Sequence, residues 1–104
     1  MGKNDLALAD CTKAINLEPD SDGYYDERGY VYNAMGKNDL AIADFNKCIK
    51  LEPNYAHYYL GRGIVYRSMG KNDLAIADFE KCLELAQNFA DIQMAQQALE
   101  QLGA

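Results

Sequence analysis

MGKNDLAIADFNKCIKLEPN, residues 35–54, decides the fold because this stretch occurs three times in the chain. It returns as MGKNDLAIADFEKCLELAQN at residues 69–88 and opens the chain as MGKNDLALADCTKAINLEPD at residues 1–20. The copies begin at residues 1, 35 and 69, which is a period of 34 residues. A fixed period of this size is typical of stacked repeat architectures.

Each copy predicts an amphipathic helix. Ala41, Phe45 and Cys48 recur at spacings of four and three, so they share one face of the middle helix. Pro53 follows the end of that helix, and Asn54 is predicted to cap the next one. The three predicted helices of this type cover residues 4–17, 38–51 and 72–85.

The segments between the copies predict a second type of helix. Tyr25, Gly29 and Tyr32 mark one face, and Gly36 is predicted to end the helix in the left-handed conformation. An interior glycine costs about 1 kcal/mol of helix propensity, so we expect a close approach of the partner helix at Gly29. Helices of this type are predicted within residues 20–36, 56–69 and 89–102. No segment alternates with period two, so no strand is predicted.

The chain resembles the tetratricopeptide repeat (TPR) family, whose 34-residue unit folds as two antiparallel helices, A then B. In residues 22–55 the resemblance is carried by Tyr25, Gly29, Tyr32, Gly36, Ala41, Phe45, Cys48 and Pro53. In residues 56–89 it is carried by Tyr59, Gly63, Tyr66, Gly70, Ala75, Phe79 and Cys82. Arg28 and Arg62 stand where the family usually has leucine, and Gln87 replaces the proline. The resemblance implies an all-α fold, a right-handed superhelical α-solenoid of antiparallel helix pairs.

The resemblance implies a single TPR domain over residues 1–104. Its predicted parts are helix B of an incomplete repeat (1–21), two full repeats (22–55 and 56–88) and a C-terminal capping helix (89–104). The cap interpretation rests on Gln93, Gln97 and Glu100, polar residues in the places of the aromatic and glycine residues of a full repeat. The first helix lacks its A helix. Two explanations stay open: the sequence is part of a longer array, or another molecule completes the open face.

The acidic residues do not suggest catalysis. Asp44 with Lys47 and Asp78 with Lys81 recur once per repeat, and we interpret them as solvated i,i+3 ion pairs. An enzyme needs one unique constellation in one cleft. His57 is the single histidine, and no group has the spacing of a metal site. We therefore expect no enzyme activity, no metal and no cofactor.

The three cysteines are Cys11, Cys48 and Cys82. Cys48 and Cys82 occupy equivalent places in successive repeats, too far apart for the ~4.4–6.8 Å Cα spacing of a disulfide. The sequence therefore predicts reduced, buried thiols and a cytoplasmic location. Thiol or redox chemistry at Cys11 stays open as a third function class.

The resemblance implies that a ligand binds in a concave groove lined by the A helices. The predicted groove residues are Asp26, Tyr30, Asn33, His57, Leu60, Ile64, Arg67 and Met94, with Asp91, Ala98 and Gln101 beside Met94. This mixture of apolar anchors with few charges suits an extended peptide or a helix. The predicted function is a non-catalytic protein–protein interaction scaffold. The alternative is a spacer domain, in which these residues are ordinary exposed residues that bind no ligand. Some family members bind C-terminal carboxylates through Lys, Arg and Asn, but the matching places here hold Asp26, Tyr30 and Gly61.

A structural self-association module is the alternative function. The unpaired face of the first helix, formed by Ala7, Cys11 and Ala14, would then join chains into dimers or polymers. Two classes of partner are not expected. The net charge of −6 and the pI near 4.6 argue against nucleic acid, and the apolar runs are too short to span a membrane.

Overall fold

The computed structural model describes residues 2–104, and within them it contains six helices and no strand. The helices are α1 (Lys3–Leu17), α2 (Asp22–Ala34), α3 (Asn38–Leu51), α4 (Ala56–Ser68), α5 (Asn72–Leu85) and α6 (Phe89–Gln101). Their ends agree with the predicted ones within the ordinary scatter of helix termini. Met1, which begins the first copy of the repeat and the predicted 1–21 segment, lies outside the described residues.

The helices form two compact units. The first contains α1, α2 and α3 and ends at Pro53; the second contains α4, α5 and α6 and runs from Asn54 to Ala104. Within each unit, consecutive helices pack against each other and are joined by short links. Short links between packed helices make neighbours antiparallel, as the sequence predicts.

Glycine ends α2 as predicted. Gly36 has φ of +74°, in the left-handed region. The N–H of Lys37 donates to the Tyr32 carbonyl at 2.9 Å, and the N–H of Gly36 donates to the Asn33 carbonyl at 3.0 Å. These two hydrogen bonds form a Schellman motif, which satisfies the last carbonyls of the helix. The same arrangement ends α4 and α6.

A phenylalanine of the B helix packs on a glycine of the A helix in each unit. Phe45 and Phe79 are both 0% exposed. A Cβ atom on Gly29 would lie 2.9 Å from the Phe45 ring, and one on Gly63 would lie 2.8 Å from the Phe79 ring. The close approach predicted at Gly29 is therefore confirmed. Because no larger residue fits there, the glycine sets the distance between the two helices.

Buried ion pairs join α2 to α3 and α4 to α5. Arg28 donates two hydrogen bonds to Asp44, both 2.8 Å, and Arg62 donates two of the same length to Asp78. The interpretation of Asp44 and Asp78 as solvated partners of nearby lysines is wrong. Both carboxylates are buried, so they accept from the arginine of the preceding helix. Lys81 forms its ion pair within α5 instead.

Aromatic rings surround each arginine of these pairs. The Arg28 guanidinium lies 5.8 Å from the Tyr25 ring centroid and 5.7 Å from that of Tyr32, within cation–π distance. Arg62 has the same arrangement. The hydrogen bonds that Arg28 donates to Asp44 raise the pKa of Arg28 further above its ordinary value. An arginine thus occupies the usual leucine position of the repeat without being left unpaired.

Helices α4 and α6 of the second unit begin differently. The Asn88 side chain accepts a hydrogen bond from the Asp91 N–H at 2.8 Å and caps α6. Asn54 stands one repeat earlier, but the N-cap of α4 is Tyr55, whose side chain makes no cap hydrogen bond. The prediction that Asn54 caps this helix is wrong, because α4 begins one residue later in the repeat than α6 does.

Helix α6 has one polar side and one packed side. Gln93, Gln97 and Glu100 are exposed, whereas Ala95 is buried and Leu99 packs against the apolar core of the second unit. This distribution follows the pattern on which the capping interpretation was based. The role of residues 89–104 as a cap stays a prediction.

Candidate functional site

The predicted groove residues of the second unit follow one side of α4. His57, Leu60, Ile64 and Arg67 are spaced by three, four and three residues, which places them on the same side of a helix. Met94 lies on α6 and is 48% exposed. The packing of α4 and α6 within this unit brings the two sets of residues together.

A groove of about 150 Å³ lies between α4 and α6, and we call it the α4/α6 groove. It is lined by Leu60, Ile64, Arg67, Phe79, Met94, Gln97, Ala98 and Gln101. Leu60 and Phe79 are 1% and 0% exposed, whereas Met94 is 48% exposed. The structure thus joins Leu60, Ile64, Arg67 and Met94 in one open groove, whose lining combines apolar side chains with the polar Gln97 and Gln101.

Two hydrogen bonds connect α4 to α6 on either side of this groove. Arg67 Nη1 donates to Gln101 Oε1 at 3.2 Å near the ends of the two helices. His57 Nδ1 and Asp91 Oδ1 are 3.0 Å apart near their beginnings, and the buried Asp91 also accepts from Asn88 Nδ2 at 2.9 Å. Each of the two bonds joins residues 34 positions apart, which aligns the helices in repeat register. His57 therefore positions α6 rather than lining the groove.

The groove residues predicted in the first unit lie on one side of α2. Asp26, Tyr30 and Asn33 are all half-buried. The Tyr30 ring meets the Phe45 ring edge-on, with centroids 5.1 Å apart. Asp26 and Tyr30 occupy the repeat positions of Leu60 and Ile64. The first unit therefore has a carboxylate and a phenol where the second unit has two aliphatic side chains.

The predicted self-association face consists of Ala7, Cys11 and Ala14. Cys11 is only 6% exposed, and its Sγ lies 3.8 Å from Glu27 Oε2 on α2. Cys11 therefore belongs to the α1–α2 contact rather than to an open surface. The large apolar side chains that α1 exposes are Leu6 (53%) and Leu17 (75%).

The cysteines are free and buried, as the sequence predicts. Burial raises the pKa of the Cys82 thiol to about 11, with a further contribution from the charge of Asp91. Burial raises the pKa of Cys48 well above its ordinary value, and that of Cys11 also rises. Since the thiolate is the reactive form, these environments disfavour nucleophilic chemistry at neutral pH. Within residues 2–104, no three His, Cys, Asp or Glu side chains cluster as metal ligands.

Two lining residues were missed by the reasoning from sequence. Phe79 was assigned to the core, although its ring also forms part of the groove wall. Gln97 was assigned to the solvated side of α6. It stands three residues after Met94 and four before Gln101, so the helical spacing of the groove residues was the signal that could have identified it.

Comparison with known sequences decides the family. The tetratricopeptide repeat model matches residues 56–89, and a second TPR repeat model matches residues 29–66, so together they span more than half of the chain. The chain belongs to the tetratricopeptide repeat family. Among curated proteins, no sequence matches it.

Solved TPR structures are similar to this chain. The TPR domain of P58(IPK) is 30% identical, with a TM-score of 0.85 over 98% of this chain, which spans only 28% of that chain's length. The Arabidopsis OM64 TPR domain is 25% identical, with a TM-score of 0.89, and the alignment covers 97% of this chain and 81% of that one. The first TPR of Spaghetti (RPAP3), bound to the HSP90 peptide SRMEEVD, is 27% identical, with a TM-score of 0.83 and coverage of 99% and 82%.

Membership of the TPR family confirms the all-α helical repeat fold predicted from sequence. TPR domains are in general non-catalytic modules for protein interaction, so the broad function is that of a protein-binding scaffold. None of the helices in residues 2–104 has the length and apolar character needed to cross a membrane. The predicted division into repeats at residues 22–55 and 56–88 stays a prediction.

Proposed function

We propose that this TPR chain is a non-catalytic scaffold that binds a peptide or a partner helix on the A-helix side of its repeats. The observation that carries the proposal is the α4/α6 groove, an open groove in which aliphatic side chains lie beside two glutamines and one arginine. Concave apolar sites with a few fixed polar groups are the usual form of a ligand site. The Spaghetti (RPAP3) domain, similar in fold and 27% identical, is bound to a peptide, which supports this class of ligand.

The proposed contacts follow from the lining of the groove. An apolar ligand side chain enters between Leu60, Ile64 and Met94, where its burial supplies most of the affinity. Polar contacts at the Arg67 end fix the orientation of the ligand. We propose that Asp26, Tyr30 and Asn33, at the equivalent positions of α2, contact a ligand through their polar groups.

The proposal includes no reaction, metal or cofactor. The His57–Asp91 pair joins two helices and thereby shapes the groove. The acidic net charge of −6 favours a protein partner over nucleic acid or an anionic membrane. Three free cysteines fit a reducing compartment, and we propose the cytoplasm.

Peptide selection with matched variants tests the groove. Peptides selected on the full chain from a random display library should bind Ile64→Ala and Met94→Ala roughly tenfold more weakly by fluorescence anisotropy, since both variants remove apolar contact area. Leu74→Ala is the matched control, because Leu74 is 48% exposed, like Met94, but lies outside the groove. Equal affinity for all three variants and the wild type would refute the proposal.

Self-association through α1 is the second candidate function. The observation that favours it is the exposure of Leu6 and Leu17, since exposed apolar side chains mark possible contact surfaces. Under this proposal the mass measured by light scattering rises with protein concentration, and Leu17→Asp returns it to that of a monomer. A monomer mass at every concentration excludes this function and leaves the groove proposal intact.

A further inference from the structure

Arg67 differs from the other two arginines of the chain. Arg28 and Arg62 each hold a buried aspartate through two hydrogen bonds of 2.8 Å. Among the ion pairs of residues 2–104, none includes Arg67. Its contacts are the Gln101 amide oxygen at 3.2 Å and the Phe79 ring, whose centroid lies 5.7 Å from the guanidinium carbon. A half-buried cation thus lacks a carboxylate in a chain that carries a net charge of −6.

Two contacts within the second unit hold the Arg67 guanidinium. A guanidinium has five N–H donors in a planar fork that matches the two oxygens of a carboxylate. Gln101 takes one of these hydrogen bonds, and the Phe79 ring lies within cation–π distance of the group. Since this order is present before a ligand arrives, pairing with a carboxylate loses less side-chain freedom than at an exposed arginine.

The groove beside Arg67 fits one apolar side chain. Leu60, Ile64, Met94 and Ala98 supply the aliphatic side of an open groove of about 150 Å³, which Gln97 and Gln101 also line. An enclosed apolar cavity of about that size in another protein holds one benzene molecule. The space therefore suits one branched aliphatic side chain or one phenyl ring, with Arg67 at its end.

We propose that the α4/α6 groove recognises an internal segment of a partner protein that combines one apolar side chain with a neighbouring aspartate or glutamate. The apolar side chain fills the groove, and the carboxylate pairs with Arg67. A chain terminus that presents several carboxylates fits less well, because Arg67 is the one cation in the groove lining. This inference rests on the proposed function and specifies the chemistry of the partner.

The same display selection tests the inference from both sides of the contact. Selected peptides should contain an aliphatic or aromatic residue near an acidic one. Arg67→Gln should weaken their binding roughly tenfold or more, as expected for a lost charged hydrogen bond. Arg67→Lys keeps the charge without the fork and should give an intermediate loss. Lys71→Gln is the matched control, since it removes an exposed cation outside the groove and should change affinity by less than about twofold.

A change in the peptide gives a measurement that does not depend on the folding of any variant. Replacing the acidic residue of the peptide by its amide should weaken binding to the wild-type chain as much as Arg67→Gln does, and higher salt should reduce the difference. The inference would be overturned if the peptides lost affinity for Ile64→Ala and Met94→Ala but bound the wild-type chain equally well in their acid and amide forms. The proposed function of the groove would then still hold. If Ile64→Ala and Met94→Ala bind every selected peptide as well as the wild type does, the inference and the proposed function both fail.

Discussion

Gly29 controls how closely α2 and α3 approach each other. In Gly29→Ala the new methyl group would lie 2.9 Å from the Phe45 ring, which is 0% exposed and has little room to move. Overpacking of this kind costs roughly 1–3 kcal/mol, so urea unfolding followed by circular dichroism should show that loss. Gly23→Ala in the same helix meets no atom within 4 Å and should instead stabilise by about 0.5–1 kcal/mol. If Gly29→Ala and Gly23→Ala changed the free energy of unfolding by similar amounts, this explanation of Gly29 would be wrong.

Asp78 illustrates what a buried charge requires. Asp78→Ala should lower the free energy of unfolding by roughly 3 kcal/mol, because Arg62 then lacks its buried partner. The double variant Arg62→Leu, Asp78→Ala should lose much less, since no uncompensated charge remains. Lys81→Ala, which breaks the exposed pair with Glu84, should cost at most about 0.5 kcal/mol. Urea unfolding of the wild type, Arg62→Leu, Asp78→Ala and the double variant completes the cycle, and additive losses would show that Arg62 and Asp78 are not coupled.

At the level of whole helices, the caps distinguish α4 from α6. Asn88→Ala removes the side chain that accepts from the Asp91 N–H, so α6 should fray and lose about 1 kcal/mol of stability. Hydrogen exchange should become faster in the first turn of α6 and remain unchanged in α5. Asn54→Ala is the matched control, because Asn54 occupies the same repeat position without capping α4. If the first turn of α6 exchanged equally fast in Asn88→Ala and Asn54→Ala, the capping role of Asn88 would be refuted.

The helices and their packed faces could be predicted from sequence because these signals are local and repeated. Gly36 and Pro53 mark helix ends through their own backbone restrictions, and Gly29 signals a close approach through its cost in a helix. The Arg28–Asp44 pair was missed because reasoning along one helix finds partners three or four residues away, whereas these residues are 16 apart. Their joint recurrence as Arg62 and Asp78 was the signal that sequence offered.

The groove could be predicted only in part. Leu60, Ile64, Arg67 and Met94 were identified because the resemblance to the TPR family names that side of the helix. The sequence could not show whether Arg67 pairs with a carboxylate of the chain. Whether a guanidinium meets a carboxylate depends on which helices pack together and on how far each side chain reaches, and neither is encoded in spacing along one helix.

For the molecule as a whole, the charge predicts which partners are excluded. A net charge of −6 repels a phosphate backbone, so double-stranded DNA should show no binding to the chain by fluorescence anisotropy at physiological salt. A variant with Asp39 and Asp73 changed to Lys remains net negative and should likewise show no binding. Tight binding by the natural chain, with a steep dependence on salt, would refute this prediction.

The buried thiols give each unit its own internal reporter of motion. Cys48 lies in the first unit, with its Sγ 3.4 Å from the Asp22 carbonyl oxygen, and Cys82 lies in the second; both are 0% exposed. An alkylating reagent can reach either sulfur only when the surrounding helices separate for a moment. One labelling time course, read by mass spectrometry of the two cysteine peptides, would therefore give two opening rates from a single unmodified protein. Comparing the two rates with and without a ligand at α4 and α6 would show whether the ligand slows the opening of the second unit alone.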